Sequence, residues 1–137
     1  MSGDRDEQWA EALEATGRYR VLRRLAPGPI VDAPPAGAKR AILLDVETTG
    51  LDSSKDEIIE LAMVPFYYSM NDKLVGIGEP YNALREPSVP ISAEVTKLTG
   101  IDQSMVAGRS INPADVAAFA SSSLVIAHNA AFDRRFL

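Results

Sequence analysis

The stretch from Ala41 to Gly50, AILLDVETTG, constrains the fold of this chain more than any other part of the sequence. Four apolar residues, typical of a buried strand, lead into Asp45 and Glu47, which one apolar residue separates. Side chains alternate between the two faces of a strand, so both acids point the same way at its carboxyl end. Repulsion and desolvation disfavour two such anions unless a cation offsets their charge. Carboxylate oxygens favour Mg²⁺ or Mn²⁺, so this motif indicates a metal site.

The composition fits one globular domain and excludes several kinds of function. The chain has 137 residues, 46% of them hydrophobic, which is enough to form a core. It contains no cysteine, so disulfides, thiolate metal sites and cysteine nucleophiles are excluded, as is typical of a reducing cytoplasm. No apolar run reaches membrane-spanning length, and we expect a cytoplasmic protein without a membrane partner. The net charge of −5 argues against a protein that binds nucleic acid by neutralising its phosphates with basic side chains. It does not argue against an enzyme that contacts phosphates through bound metal ions.

The N-terminal part is predicted to be a helical extension, residues 1–25, followed by a linker. The spacing of Trp9 and Leu13 predicts a helix that packs through them, and Gly17 is expected to end it. A second helix is expected to follow, with three apolar residues at Tyr19, Leu22 and Leu25. This extension is interpreted either as a solvated appendage or as a basic edge that contacts nucleic acid or a protein partner. Six prolines and glycines in residues 26–39 predict the linker.

Residues 40–137 combine strand and helix patterns. Pro65 falls inside a strand pattern and indicates a sheet edge or a bulge there, whereas residues 79–90 are expected to leave the sheet. The predicted elements are strands at about 40–46, 57–69, 74–77 and a buried one at 124–127, with helices at 92–99, from Asn112-Pro113 onward, and after Asn129. This order predicts an α/β fold around a mixed sheet.

The last part of the chain, VIAHNAAFDRRF at 125–136, resembles the first motif in its pattern of apolar residues followed by polar and acidic ones. An apolar strand ends in polar residues, a helix begins, and Asp133 lies on that helix. Ligands bind at the carboxyl ends of strands in such sheets. If the two strands are neighbours, Asp133 can join Asp45 and Glu47 around one metal site. Phe132 and Phe136, four residues apart, are interpreted as core residues rather than base-stacking groups.

At these motifs the sequence resembles the DEDD-type 3′–5′ exonucleases. This ribonuclease H-like family includes the epsilon subunit of bacterial DNA polymerase III, ribonuclease T and oligoribonuclease. DVETTGL at 45–51 with IIEL at 58–61 resembles the first family motif, and HNAAFD at 128–133 resembles the second. LTGI at 98–101 resembles the segment between them. The resemblance covers about residues 40–137 and implies a ribonuclease H-like mixed sheet flanked by helices.

The resemblance also implies two-metal hydrolysis of phosphodiester bonds at the 3′ ends of single-stranded DNA or RNA, with Mg²⁺ or Mn²⁺. Asp45 would bridge both ions, while Glu47 and Asp133 would each hold one. The implied substrate contacts are Thr48, Thr49, Leu51, His128 and Asn129. His128 is otherwise explained as a satisfied polar neighbour, and Asn129 as a helix cap. DNA polymerase subunits are the implied protein partners, with roles in DNA replication or repair.

The sequence departs from the family in one respect. The family's third motif supplies a histidine or tyrosine general base and a fourth aspartate on a later helix, and residues 1–137 contain no such segment. We therefore expect a C-terminally incomplete sheet, little turnover from this chain alone, and self-association through exposed edges. His128 is the only histidine, but it lies within the second motif and is not the predicted base. The alternative is a non-catalytic interaction module derived from an exonuclease, which docks a polymerase or a signalling partner.

Overall fold

Five strands and five helices make up residues 3–24 and 30–137, the part of the chain that the computed structural model describes. In chain order they are α1 (Gly3–Ala15), β1 (Lys39–Thr48), β2 (Ile58–Tyr68), β3 (Leu74–Ile77), β4 (Tyr81–Leu84), α2 (Ala93–Thr99), α3 (Gln103–Val106), α4 (Pro113–Ala120), β5 (Leu124–Ile126) and α5 (Ala130–Phe136). The strands form one mixed sheet in the order β3-β2-β1-β5, and β4 also pairs with β2. The predicted α/β fold class is confirmed.

The alternation of β1 sets the two faces of this sheet. Ile42, Leu44 and Val46 are buried and pack with two residues of β2, Leu61 and Met63. Apolar side chains from α4 and α5 cover that face, namely Val116, Phe119, Ala120 and Phe132. The residues between them along β1 point to the opposite face, where Asp45 is exposed and Glu47 is half-buried. β1 pairs antiparallel with β2 and parallel with β5, so the carboxyl ends of β1 and β5 point the same way.

A second, smaller core holds the helices that follow β4. Ile59 of β2 is fully buried against Ile101 and Val106, and Ile91 and Val95 pack on this group. The Ser92 side chain accepts the Val95 N–H at the start of α2, and Gly100 ends the helix with a φ of 79°. The predicted helix at 92–99 and its glycine cap are therefore observed, because local capping and the apolar contacts favour the same structure.

Pro65 lies neither at a sheet edge nor at a bulge, so that prediction is wrong. On one side of β2, β3 pairs with residues 66–68 and β4 pairs with residues 60–63. The Pro65 carbonyl accepts the Gly78 N–H at 2.8 Å on this side. The N–H and C=O of one strand residue point towards the same neighbouring strand, so the nitrogen of Pro65 faces the gap between β3 and β4. The N–H that proline lacks is therefore not needed for strand pairing at this position.

Three further expectations differ from the structure, and one helix is observed that was not predicted. Residues 79–90 do not leave the sheet completely, since β4 pairs with β2, and α3 was not predicted. β5 is exposed rather than buried, because it has one partner strand within the described residues and lies at the end of the sheet. Residues 18–24 contain no helix, and Leu25 lies outside the described residues.

The N-terminal extension folds back on itself instead of forming two packed helices. The chain turns at Gly17, whose φ is 68°, and Arg23 then returns to pair with Glu7 and Glu14 of α1. Trp9 and Leu22 are exposed, so the expected packing through them is not observed. Of the predicted linker, Val31 donates its N–H to the Ile77 carbonyl at the free side of β3. No helix in the described ranges is long and apolar enough to cross a membrane.

The loop between β1 and β2, residues 49–57, is closed by its own polar groups. Thr49 donates its N–H to the Glu57 carbonyl at 2.9 Å, and Glu57 donates its N–H to the Thr49 hydroxyl at 3.0 Å. The Asp56 carboxylate accepts the Asp52 N–H at 2.9 Å and the Thr49 hydroxyl at 3.3 Å. A Cβ at Gly50 would lie 2.6 Å from the Asp56 carboxylate carbon. A side chain at position 50 must therefore displace Asp56 and open this closure.

We expect Gly50→Ala to destabilise the fold by about 1–3 kcal/mol, because the methyl group displaces the Asp56 carboxylate from its two donors. The same substitution in an Asp56→Ala background should cost much less, because the clash and the hydrogen bonds are already gone. Urea denaturation of the four proteins in this double-mutant cycle measures the coupling. Equal costs in both backgrounds would rule out this explanation for Gly50.

Candidate metal and nucleotide site

The carboxyl end of β1 gathers negative charge on one face of the sheet. Asp45 and Glu47 share this face, as predicted, and Glu60 of β2 lies directly opposite Glu47 in the antiparallel register. Asn82 of β4 donates its side-chain amide to the Glu60 carboxylate at 2.9 Å. Like charges directly opposite each other destabilise a strand pair. Glu60 is not among the predicted site residues, although it lies in the IIEL segment at 58–61.

The pKa of Glu47 is raised above the ordinary value of a glutamate. Burial of its carboxylate is the largest cause, followed by the negative charges of Asp45 and Glu60. Among the residues that the structure describes, no basic side chain contributes to this shift. A partly buried anion next to two other carboxylates is a set of hard oxygen donors with uncompensated charge. These residues therefore fit Mg²⁺ or Mn²⁺, which offset such charge and prefer such ligands.

A pocket of about 440 Å³ opens beside Glu47. That volume lies within the range of small-molecule sites, roughly 300–1,000 Å³. One wall is the end of β1 and the start of the following loop, and it includes Thr48, Thr49 and Leu51, for which substrate contact stays a prediction. The other wall is α2, with Ser92, Glu94, Val95, Leu98 and Thr99, and Phe132 of α5 completes the lining. The pocket therefore combines two carboxylates, four hydroxyls and several apolar side chains.

The residues of the second wall are not among the predicted site residues. Leu51 and Leu98 face the pocket from opposite walls and are 84% and 86% exposed. A leucine that is exposed on a helix is a signal for binding rather than packing, but exposure is not readable from helical spacing alone. Phe132 was interpreted as a core residue, and it does pack on the main core and against Phe136. It also lines the pocket, so that interpretation was incomplete.

The second motif lies on β5 and α5. Asp133 is buried, with 5% of its surface exposed, whereas His128 and Asn129 are exposed and do not line the pocket. Asn129 occupies the N-cap position of α5, but its side chain makes no capping hydrogen bond. Within the described residues, no three His, Cys, Asp or Glu side chains are grouped closely enough to hold a metal ion. A site that joins Asp133 to Asp45 and Glu47 therefore stays a prediction.

We expect Glu47→Gln to raise the thermal unfolding midpoint at pH 7 in the presence of a chelator. The raised pKa means that ionisation of Glu47 costs more in the folded chain than in the unfolded chain. This cost sets in as the pH rises from the ordinary glutamate pKa to the raised one, and it is complete above that range. The variant should therefore gain no stability at about pH 3, where Glu47 is protonated in both the folded and the unfolded chain.

Calorimetric or circular-dichroism melting at the two pH values tests this, with Glu11→Gln on an exposed face of α1 as the control. If Glu47→Gln and the unmodified chain melted at the same temperature at pH 7, the strain assigned to this carboxylate would be absent.

Comparisons with known proteins identify the family of this chain. The model of the family described as "Exonuclease" (RNase_T) matches residues 42–137. The chain is 33% identical to a PolC-type DNA polymerase III of Caldanaerobacter subterraneus over 96% of its length, and 42% identical to that of Thermotoga maritima over 70%. It is 36% identical to a DNA polymerase III subunit epsilon-like protein of Rhodobacter capsulatus over 70%. The aligned part is 10%, 7% and 14% of these relatives, respectively.

Solved structures give the same result. Exonuclease X, in complex with 5′-overhanging duplex DNA, matches with a TM-score of 0.54 and 32% identity, covering 71% of this chain and 53% of that one. Product-bound exonuclease I matches with a TM-score of 0.56 over 72% of this chain and 24% of its own, and at 20% identity it supports the fold alone. The resemblance noted in the sequence is confirmed: the chain belongs to the exonuclease family.

Proposed function

We propose that this chain is part of a 3′–5′ exonuclease that binds the 3′ end of single-stranded DNA or RNA and hydrolyses its terminal phosphodiester bond. The observation that carries the proposal is the pocket in which Glu47 lies beside Thr48, Thr49 and Leu51, opposite α2. Family membership supports nuclease chemistry, and the DNA in the exonuclease X complex supports a nucleic-acid substrate. Because the chain spans a small fraction of its curated relatives, the activity of the whole protein belongs to this proposal.

In this proposal Asp45, Glu47 and Asp133 would hold two divalent ions. When bound, such ions lower the pKa of the attacking water and stabilise the leaving oxygen. The uncompensated charge at Asp45, Glu47 and Glu60 supports cation binding at the β1 end. Asp133 lies on α5, which follows β5, and the carboxyl end of β5 points the same way as that of β1, which supports its assignment as the third ligand.

The pocket side chains would select and orient the substrate end. Leu51, Leu98 and Phe132 offer apolar surface for a base, while Thr48 and Thr49 offer polar groups for the sugar. The Thr48 hydroxyl is already committed to the Gly50 carbonyl at 2.5 Å, so its backbone is the part left to contact substrate. His128 and Asn129 do not line the pocket, so their proposed substrate contact is to a more distant part of the strand.

A DNA polymerase is the proposed protein partner, because several relatives are DNA polymerase III proteins. The alternative function is a non-catalytic docking module, which the exposed Trp9 and Leu22 of the N-terminal extension favour. The two candidates differ in metal binding, because a docking module does not need the acids of β1.

Calorimetric titration of the chain with Mn²⁺ should therefore give saturable binding, and Asp45→Asn should weaken it more than about tenfold. Loss of a residue that only orients a metal ligand already costs about that much affinity, and loss of a ligand should cost more. Asp52→Asn is the matched control, because it makes the same change on an exposed loop carboxylate that contacts only its own loop, through Ser54 and Lys55. Undetectable Mn²⁺ binding, together with tight binding to a polymerase subunit, would favour the docking module.

We also expect Asp45→Ala in the full-length parent protein to reduce metal-dependent trimming of a 3′-labelled single strand by at least about 100-fold. The 137-residue chain alone should trim slowly, because its one histidine is exposed and lies outside the pocket. Gel analysis of 3′- and 5′-labelled oligonucleotides measures both the rate and the direction. Unchanged trimming by the Asp45→Ala parent, or rapid trimming by the short chain, would each contradict part of the assignment.

A further inference from the structure

The two walls of the pocket come from segments that are far apart in the sequence. Residues 46–51 form one wall and residues 92–99 form the other. The second wall is seated on the smaller core through Val95, while the first continues from β1 into the loop. A pocket built this way needs a contact that fixes one wall relative to the other.

Glu57 makes that contact to the first wall through its backbone. Its N–H donates to the Thr49 hydroxyl at 3.0 Å, and its carbonyl accepts the Thr49 N–H at 2.9 Å. Thr49 lines the pocket directly. These two bonds use only the main chain of Glu57, so a substitution of its side chain leaves them in place.

The carboxylate of Glu57 reaches the other side. It accepts the Arg85 guanidinium at 2.8 Å, the Ser88 N–H at 2.8 Å and the Ser88 hydroxyl. The Glu57 side chain is 19% exposed, so these bonds lie partly out of water. The donors of Ser88 and then the charge of Arg85 lower the pKa of Glu57, which keeps it ionised at neutral pH. It therefore makes charge-assisted bonds, which are stronger than neutral ones.

The segment that Glu57 holds leads directly into the second wall. Arg85 donates its N–H to the Ile59 carbonyl, and Glu86 donates its N–H to the Arg109 carbonyl. Glu86 in turn accepts the Gly108 N–H with its carboxylate at 2.8 Å. Ser88 lies four residues before Ser92, which caps α2 and lines the pocket. Three residues therefore connect Ser88 to the N-cap of α2.

We propose that Glu57 is a positioning residue, which sets the separation of the two pocket walls and thereby the affinity for the 3′-terminal nucleotide. The nucleotide part of this inference rests on the function proposed above. Glu57 itself does not line the pocket. It acts through Thr49 on one side and through Ser88 and α2 on the other.

The separation of the walls can be measured without any ligand. The chain has no cysteine, and Leu51 and Leu98 are both largely exposed on opposite walls, so Leu51→Cys with Leu98→Cys gives two specific spin-label positions. We expect Glu57→Gln to broaden the distance distribution between the labels in electron paramagnetic resonance. Asp52→Asn, which makes the same charge change in the same loop, should leave the distribution unchanged.

Nucleotide affinity is measured on unlabelled protein, with thymidine 5′-monophosphate as the probe in the presence of Mn²⁺. We expect Glu57→Gln to weaken binding by about tenfold, because residues that are displaced from their positions in the pocket wall no longer contact the nucleotide with the right geometry. Removal of a negative charge alone would strengthen binding to a phosphate, so simple electrostatics predicts the opposite sign. Asp52→Asn should bind the probe as tightly as the unmodified chain or slightly more tightly.

A purely structural role predicts that Glu57→Gln leaves the distance distribution and the nucleotide affinity of the folded chain unchanged. The ion pair itself adds little to global stability, because its arginine is 42% exposed. Ser88→Ala removes one hydroxyl donor and is a milder second variant, for which a smaller change in the same two measurements is expected. A broadened distance distribution with unchanged nucleotide affinity in Glu57→Gln would overturn the positioning role and leave the proposed function standing. Failure of the unmodified chain to bind the nucleotide would overturn the proposed function, and the positioning role with it.

Discussion

The fold depends on how β1 divides its side chains between two environments. One set, Ile42, Leu44 and Val46, is buried against β2, α4 and α5 and supplies the main core. The alternate set ends in two acids on the other face, where Glu60 adds a third negative charge. The apolar contacts of the first set stabilise a strand whose end is electrostatically unfavourable. Hydrophobic burial thus holds carboxylates together that would separate in a free peptide.

Much of this arrangement follows from local sequence signals. The period-two pattern of β1, the Ser92 cap and Gly100, and the Asn112-Pro113 start of α4 were all readable, because each depends on neighbouring residues. β4 was missed because prolines flank it and its pairing with β2 is long-range. The burial of β5 was wrong because its three apolar residues indicate a strand but do not say how many neighbours cover it.

The candidate site was readable only in part for the same reason. Asp45, Glu47, Thr48 and Thr49 are consecutive or nearly so, and their placement follows from one strand and its turn. The wall formed by α2 comes from a segment more than 40 residues later, and nothing in its spacing points to the pocket. The contacts of Glu57 with Arg85 and Ser88 likewise join residues about 30 apart. Such pairings are set by tertiary packing, which no short motif encodes.

The break opposite Pro65 divides one side of β2 into two halves with different partners. Since β3 and β4 contact different halves of β2, no continuous ladder of hydrogen bonds connects them along that side. The β3 half carries the N-terminal segment through Ile30 and Val31, and the β4 half lies beside the acids and the pocket wall. The other side of β2 pairs with β1 without interruption from Lys39 to Glu47, so β1 is the strand that joins the two halves into one sheet. The bridge from Ile30 and the three acids therefore lie towards opposite ends of β2.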